Sequence, residues 1–199
     1  MRPRVTETVH DARGRSGPRS AKSLLDRVRE GRVLFVGLFC FAVLATPELS
    51  AQLVDGQDDA PHPAVSVGIA YFDVAQRNDS SLGLELGYRW PYPLLGHVWP
   101  YVGGLFSADG AGYGYFGLQL PVGLRWGLEV TPSLGAGLYE AGTGMELGSP
   151  VQFRSSLQVD WTVHEGQGVS LFFYHISNAG LGSSNPGAEI LGLSYRVVM

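Results

Sequence analysis

Three residues near the C-terminus have the types and the spacing for ester chemistry. His175 and Ser177 stand two apart in FFYHISNAG, a separation that puts both side chains on one face of an extended strand. A hydroxyl beside an imidazole can be deprotonated and attack a carbonyl carbon, provided a third group holds the base in the right orientation. Glu189, fourteen residues after the histidine, has the chemistry for that third role. The reading is Ser177 as nucleophile, His175 as general base and Glu189 as the acid that orients the imidazole and stabilises its charged form. Asp160 and Glu165 compete poorly, the first by falling on the opposite strand face and the second by lying in the HEGQG turn. His62, His97 and His164 fall in a polar leader or in turns and read as solvated. GAGYGYFG is a glycine-rich strand segment without the helix that a phosphate loop requires, and no His/Cys/Asp set has metal-ligand spacing. Neither a metal nor a cofactor is expected.

For these three groups to meet, two neighbouring strands must carry them. The face with His175 and Ser177 also holds Val169, Leu171 and Phe173, and the strand that begins near Glu189 holds Leu191, Leu193, Tyr195 and Val197 on the same side as the acid. Polar residues thus interrupt two apolar stripes, joined by the loop 178–187. A carboxylate and an imidazole facing hydrocarbon are costly unless they satisfy each other, which makes them functional candidates.

The rest of the chain explains where hydrocarbon comes from. Of its 199 residues 45% are hydrophobic, 16% are charged and 28 are glycine, and the apolar residues alternate instead of recurring with a helical period. Period-two stretches run over 64–72, 82–90, 98–107, 112–126, 128–140, 151–162, 168–177 and 188–198. In the second, Leu82, Leu84, Leu86, Tyr88 and Trp90 oppose Gly83, Glu85, Gly87 and Arg89; the third does not separate into faces. Eight antiparallel strands of this length can close as an outer-membrane barrel with a polar interior or as a soluble barrel with an apolar one. Trp90, Trp126 and Trp161 favour the first, because they fall on the apolar face at the ends of strands two, four and six, which share one rim and would form an interfacial girdle. That rim would be periplasmic, and 73–81, 108–111, 141–150 and 178–187 would face outward.

Charge agrees with a membrane setting. Lys22 is the one lysine, and residues 52–199 hold five arginines against thirteen acids, an acidic balance that excludes a nucleic-acid partner. Residues 1–51 are basic and include the apolar run VLFVGLFCFAVLA at 33–45, preceded by Arg27, Arg29 and Arg32 and followed by small residues up to Ala51. This is the layout of a secretory signal, too short to span a bilayer as a helix; an N-terminal membrane anchor is the other reading. The organisation expected is signal 1–51, polar leader 52–63 and barrel 64–199. Cys40, the only cysteine, precludes an internal disulfide.

The stretch HISNAGLGSSNPGAEILGLSYRV at 175–197 resembles the signature of the lipid A 3-O-deacylases of the PagL type, through the H-x-S-N-A-G run at 175–180, the N-x-G of Asn185 and Gly187, and the acid at Glu189. Upstream the likeness is one of strand pattern, including GAGLYEAG at 135–142. The resemblance implies an eight-stranded outer-membrane barrel that removes an ester-linked 3-hydroxyacyl chain from lipid A. It implies His175, Ser177 and Glu189 as catalytic and Asn178 and Asn185 as candidate oxyanion donors, amide N–H groups being suited to a developing negative oxygen. Lipopolysaccharide in the outer leaflet is then the partner, with a second copy of the chain a further candidate. Two other readings stand beside it: a non-catalytic structural or adhesion barrel, and an outer-membrane phospholipase.

Overall fold

The computed structural model describes residues 62–75 and 80–199; the expected signal and all but the end of the leader lie outside them. The strands are β1 Ala64–Phe72, β2 Ser81–Arg89, β3 Trp99–Ser107, β4 Gly112–Gln119, β5 Val122–Gly123, β6 Leu128–Glu140, β7 Val151–His164, β8 Gln167–Ser177 and β9 Ala188–Val198. Every pairing is antiparallel, β9 closes on β1 and β4 on β6. Eight long strands therefore make one closed barrel, with the two-residue β5 a short extra piece against the start of β6.

The alternation in the sequence becomes an inside and an outside. On β2, Leu82, Leu84 and Leu86 are exposed while Glu85 is buried. The ambiguous third stretch resolves in the same way: Tyr101 and Leu105 point in, and Val102 and Phe106 point out.

The interior is layered: an apolar cluster that includes Phe72, Tyr139, Leu147, Ile176 and Ile190 fills the end under the loops 141–150 and 178–187, and two polar layers lie below it. In the layer nearer the loops 141–150 and 178–187, Glu85 receives hydrogen bonds from Tyr115 and from Tyr174, the latter at 3.0 Å. The Arg154 guanidinium lies 4.1 Å from the Tyr174 ring centre and donates to Tyr101 Oη at 2.8 Å and Ser133 Oγ at 2.9 Å. In the other layer Arg196 meets Asp160 at 3.4 Å and Glu129 at 3.6 Å, and Arg89 meets Glu129 at 3.9 Å. Three of the five arginines beyond residue 51 are thus matched by acids inside the barrel. Tyr174 precedes His175 in β8, so the Arg154–Glu85 layer braces the strand that carries the candidate site.

Two boundaries differ from expectation. The fourth stretch, expected over 112–126, ends at Gln119. Pro121 has no N–H for the ladder, and Trp126 and Gly127, both at positive φ (62° and 72°), reverse the chain in a 3-10 turn at Arg125–Gly127. Trp126 is therefore a turn residue, exposed at the same rim as Trp90 and Trp161. β7 extends to His164, leaving Glu165 and Gly166 as the turn, so this histidine ends a strand.

Candidate active site

β8 and β9 place His175 directly opposite Glu189 in the ladder, with Ser177 two residues further along β8. Parity puts all three on the outer face, since Val169, Leu171 and Phe173 on that side are exposed and Phe172, Tyr174 and Ile176 fill the interior. His175 Nδ1 lies 3.4 Å from Glu189 Oε1. That is ion-pair distance and not a hydrogen bond, since His175 Nδ1 has no hydrogen-bond partner.

One part of the expectation needs correcting. The two side chains face outward without facing lipid, His175 being 3% exposed and Ser177 fully buried, against 44% for Phe173 one step below. The cover comes from the loops. Asn178, itself buried, donates its side-chain amide to Leu147 O at 2.8 Å and Ser184 O at 2.7 Å, and its backbone N–H to Asn185 Oδ1 at 2.8 Å. These bonds fold 178–187 back on itself and fasten it to 141–150. Gly182 packs so closely on Gly148 that a Cβ at Gly182 would collide with the Gly148 carbonyl. Asn178 and Asn185 are thus brought to the site, but both Asn178 amide hydrogens are committed to carbonyl oxygens.

Beneath this cover, Ser177 Oγ and His175 Nε2 are buried and have no hydrogen-bond partner. Buried polar atoms of this kind are uncommon and a catalytic role is one explanation of them; inside the barrel Gln152 Oε1 and Arg154 Nε share the condition. Among the described residues no group of three His, Cys, Asp or Glu could hold a metal ion. Asp160 belongs to the interior layer with Arg196. His62 and His164 are exposed and His97 is half-buried.

The structure adds neighbours that spacing did not single out. Gly187 adopts φ +66°, and a Cβ there would lie 2.8 Å from His175 Cε1 and 3.3 Å from Nε2, so the imidazole rests against bare backbone. Asp73, buried and at φ +57°, follows the end of β1 where Val74 N–H binds Glu189 O at 3.0 Å. Ser155 of β7 is paired with His175 on the side away from Glu189. A signal for Ser155 was present, as the polar break in a stripe of Phe153, Leu157 and Val159.

The His175–Ser177 end of the barrel is opposite the end that carries Trp90, Trp126 and Trp161, as the strand directions require. Comparison with known proteins agrees with this architecture. The model of the lipid A 3-O-deacylase (PagL) family matches residues 79–198. Among solved structures, that of the outer membrane enzyme PagL is similar with a TM-score of 0.54 and 19% identity, covering 68% of this chain and 99% of that one. Neisserial surface protein A is similar with a TM-score of 0.50 and 9% identity, covering 73% and 100%. No curated protein matches the chain.

Proposed function

The chain belongs to the lipid A 3-O-deacylase family and is an outer-membrane barrel, and from that premise we propose that it hydrolyses the ester holding a 3-hydroxyacyl chain on lipid A. Ser177 Oγ attacks the ester carbonyl, His175 Nε2 takes the hydroxyl proton and returns it to the leaving sugar oxygen, and water repeats the cycle on the acyl-enzyme. Glu189 keeps the proton on Nδ1, so that Nε2 is the basic nitrogen, and offsets the charge when the ring becomes imidazolium. The observation that carries this reading is the cross-strand pair His175–Glu189 with an unpartnered Ser177 hydroxyl on the same face.

Lipid A occupies the outer leaflet, and a site on the outer wall at the rim away from the tryptophans meets it sideways. Drawing the lipid out would instead expose chains to water at about 0.8 kcal/mol per CH₂. Because Ser177 is buried in this closed arrangement, substrate entry in this reading lifts 178–187 from 141–150. Asn178 could then exchange the Leu147 or Ser184 carbonyl for the developing oxyanion, with Asn185 retained against the Asn178 backbone.

The test is the mass of lipid A from a heterologous outer membrane expressing the intact chain or Ser177→Ala. Loss of one hydroxyacyl chain with the intact chain alone is the expected result. Unchanged lipid A with both would make the barrel non-catalytic toward this lipid, and loss of a chain from glycerophospholipid would make it a phospholipase.

A further inference from the structure

Ser155 stands where a polar group is out of place for the barrel wall. It faces outward from β7 between Phe153 and Leu157, and it is nearly covered, at 9% exposure. The ladder sets it directly beside His175 and sets Phe153 beside Ser177. Relative to the Ser177 hydroxyl, Ser155 is therefore one strand across, about 4.8 Å, and two residues down the wall, about 6.8 Å. Down is the direction an acyl chain must take: successive outward rows below the site are Leu157, Phe173 and Leu191, then Val159, Leu171 and Leu193.

An acyl chain esterified to Ser177 and lying along that wall leaves the carbonyl carbon at the serine and descends past the His175–Ser155 row. Its C3 hydroxyl, two carbon–carbon bonds below the carbonyl, then falls between the Ser177 row and the Ser155 row. A hydroxyl at that depth, with apolar side chains beneath it, needs a partner, and so does the serine it approaches. On the Glu189 side the row is filled by the His175–Glu189 pair. The β7 side offers Ser155.

We infer that the Ser155 hydroxyl hydrogen-bonds the 3-hydroxyl of the scissile acyl chain and makes the enzyme selective for 3-hydroxyacyl over unsubstituted acyl esters, an inference that rests on the esterase reading above. A site built to bind a substrate hydroxyl discriminates against the analogue without it, because its own polar group is then left unpaired. Ser155 is in this role a specificity residue, separate from the proton transfers at His175.

The experiment uses the intact barrel in detergent micelles and two synthetic glucosamine 3-O-esters that differ only in the presence of the 3-hydroxyl. The readout is the ratio of kcat/KM for the hydroxylated ester to that for the unsubstituted one. The intact chain should prefer the hydroxylated ester, Ser155→Ala should reduce the ratio by roughly tenfold, and Ser155→Thr, which keeps a hydroxyl, should retain the preference. Heat-dependent electrophoretic mobility reports whether each variant is folded. A ratio near one in the intact chain, or a ratio unchanged in Ser155→Ala, overturns the inference while leaving the esterase intact. Hydrolysis of neither ester by the intact chain sinks the esterase reading and the inference with it.

Discussion

Two sets of buried polar residues lie back to back across strand β8, and they are finished to different degrees. Inside the barrel, both carboxylate oxygens of Glu85 receive tyrosine hydroxyls, and Arg154 is stacked on Tyr174 and hydrogen-bonded to Tyr101 and Ser133. On the outer wall, His175 has one loose contact to Glu189, and Ser177 Oγ and His175 Nε2 have no hydrogen-bond partner. Burying a polar group is unfavourable in both places. The interior set recovers most of that cost through its own contacts, Arg154 Nε being its one buried atom without a hydrogen bond. The wall set leaves more of that cost standing, which agrees with the proposal that a substrate supplies the missing partner.

If this contrast is correct, substitutions should separate activity from stability. The largest effect is expected for Ser177→Ala, which should lower kcat/KM by at least about 10⁴-fold. Thermal unfolding should be unchanged or shifted slightly upward, because an unpartnered buried hydroxyl is being removed. A clear fall in melting temperature would place Ser177 with the architectural residues instead. Glu189→Gln comes next. It should retain about a hundredfold more activity than Ser177→Ala, since the acid orients the base and the serine forms the covalent bond; activity equal to the parent would remove Glu189 from the triad.

Gly187→Ala sharpens the contrast at closer range. A methyl group there meets the imidazole edge at 2.8 Å on backbone at φ +66°. Activity should fall by about tenfold to a hundredfold from displacement of the ring, with a stability loss of about 1 kcal/mol. The smallest effect on activity belongs to the interior. Arg154→Met leaves Glu85 without its cation and should cost about 3–5 kcal/mol of stability, while the rate per folded molecule at low temperature stays within about twofold of the parent. Chemical unfolding beside single-turnover kinetics separates the two quantities, and a large rate loss without destabilisation would show that the interior layer tunes the site directly.

Strand positions and faces were legible because alternation is a local property: Leu82 through Trp90 state which side of β2 is apolar before any partner strand is known. The juxtaposition of His175, Ser177 and Glu189 was legible for the same reason, two residues apart on one strand and one residue into the next. The end of the fourth strand was misread because its alternating residues run on past Pro121, whereas the ladder needs an N–H that proline lacks. The burial of the site was not legible. It depends on Asn178 reaching Leu147, thirty-one residues away, and on Gly148 and Gly182 being bare enough for two loops to touch. Ser155 shows in the sequence only as a polar break in the stripe of Phe153, Leu157 and Val159, and its place beside His175 emerges from the register alone.

The layered interior has a consequence for the cell that hosts the protein. Arg154 and Glu85 close the lumen at one level, and Arg89, Arg196, Glu129 and Asp160 close it at another. A cavity of about 60 Å³ remains between the two levels, lined by Glu85, Arg89, Glu129, Arg154 and Arg196. An ion or nutrient would have to break charge pairs at both levels to pass. The outer membrane is useful to a bacterium as a permeability barrier, and a catalyst built as a stoppered cylinder can be inserted into it in many copies without making it leak. Planar bilayers carrying the protein should show no steady conductance.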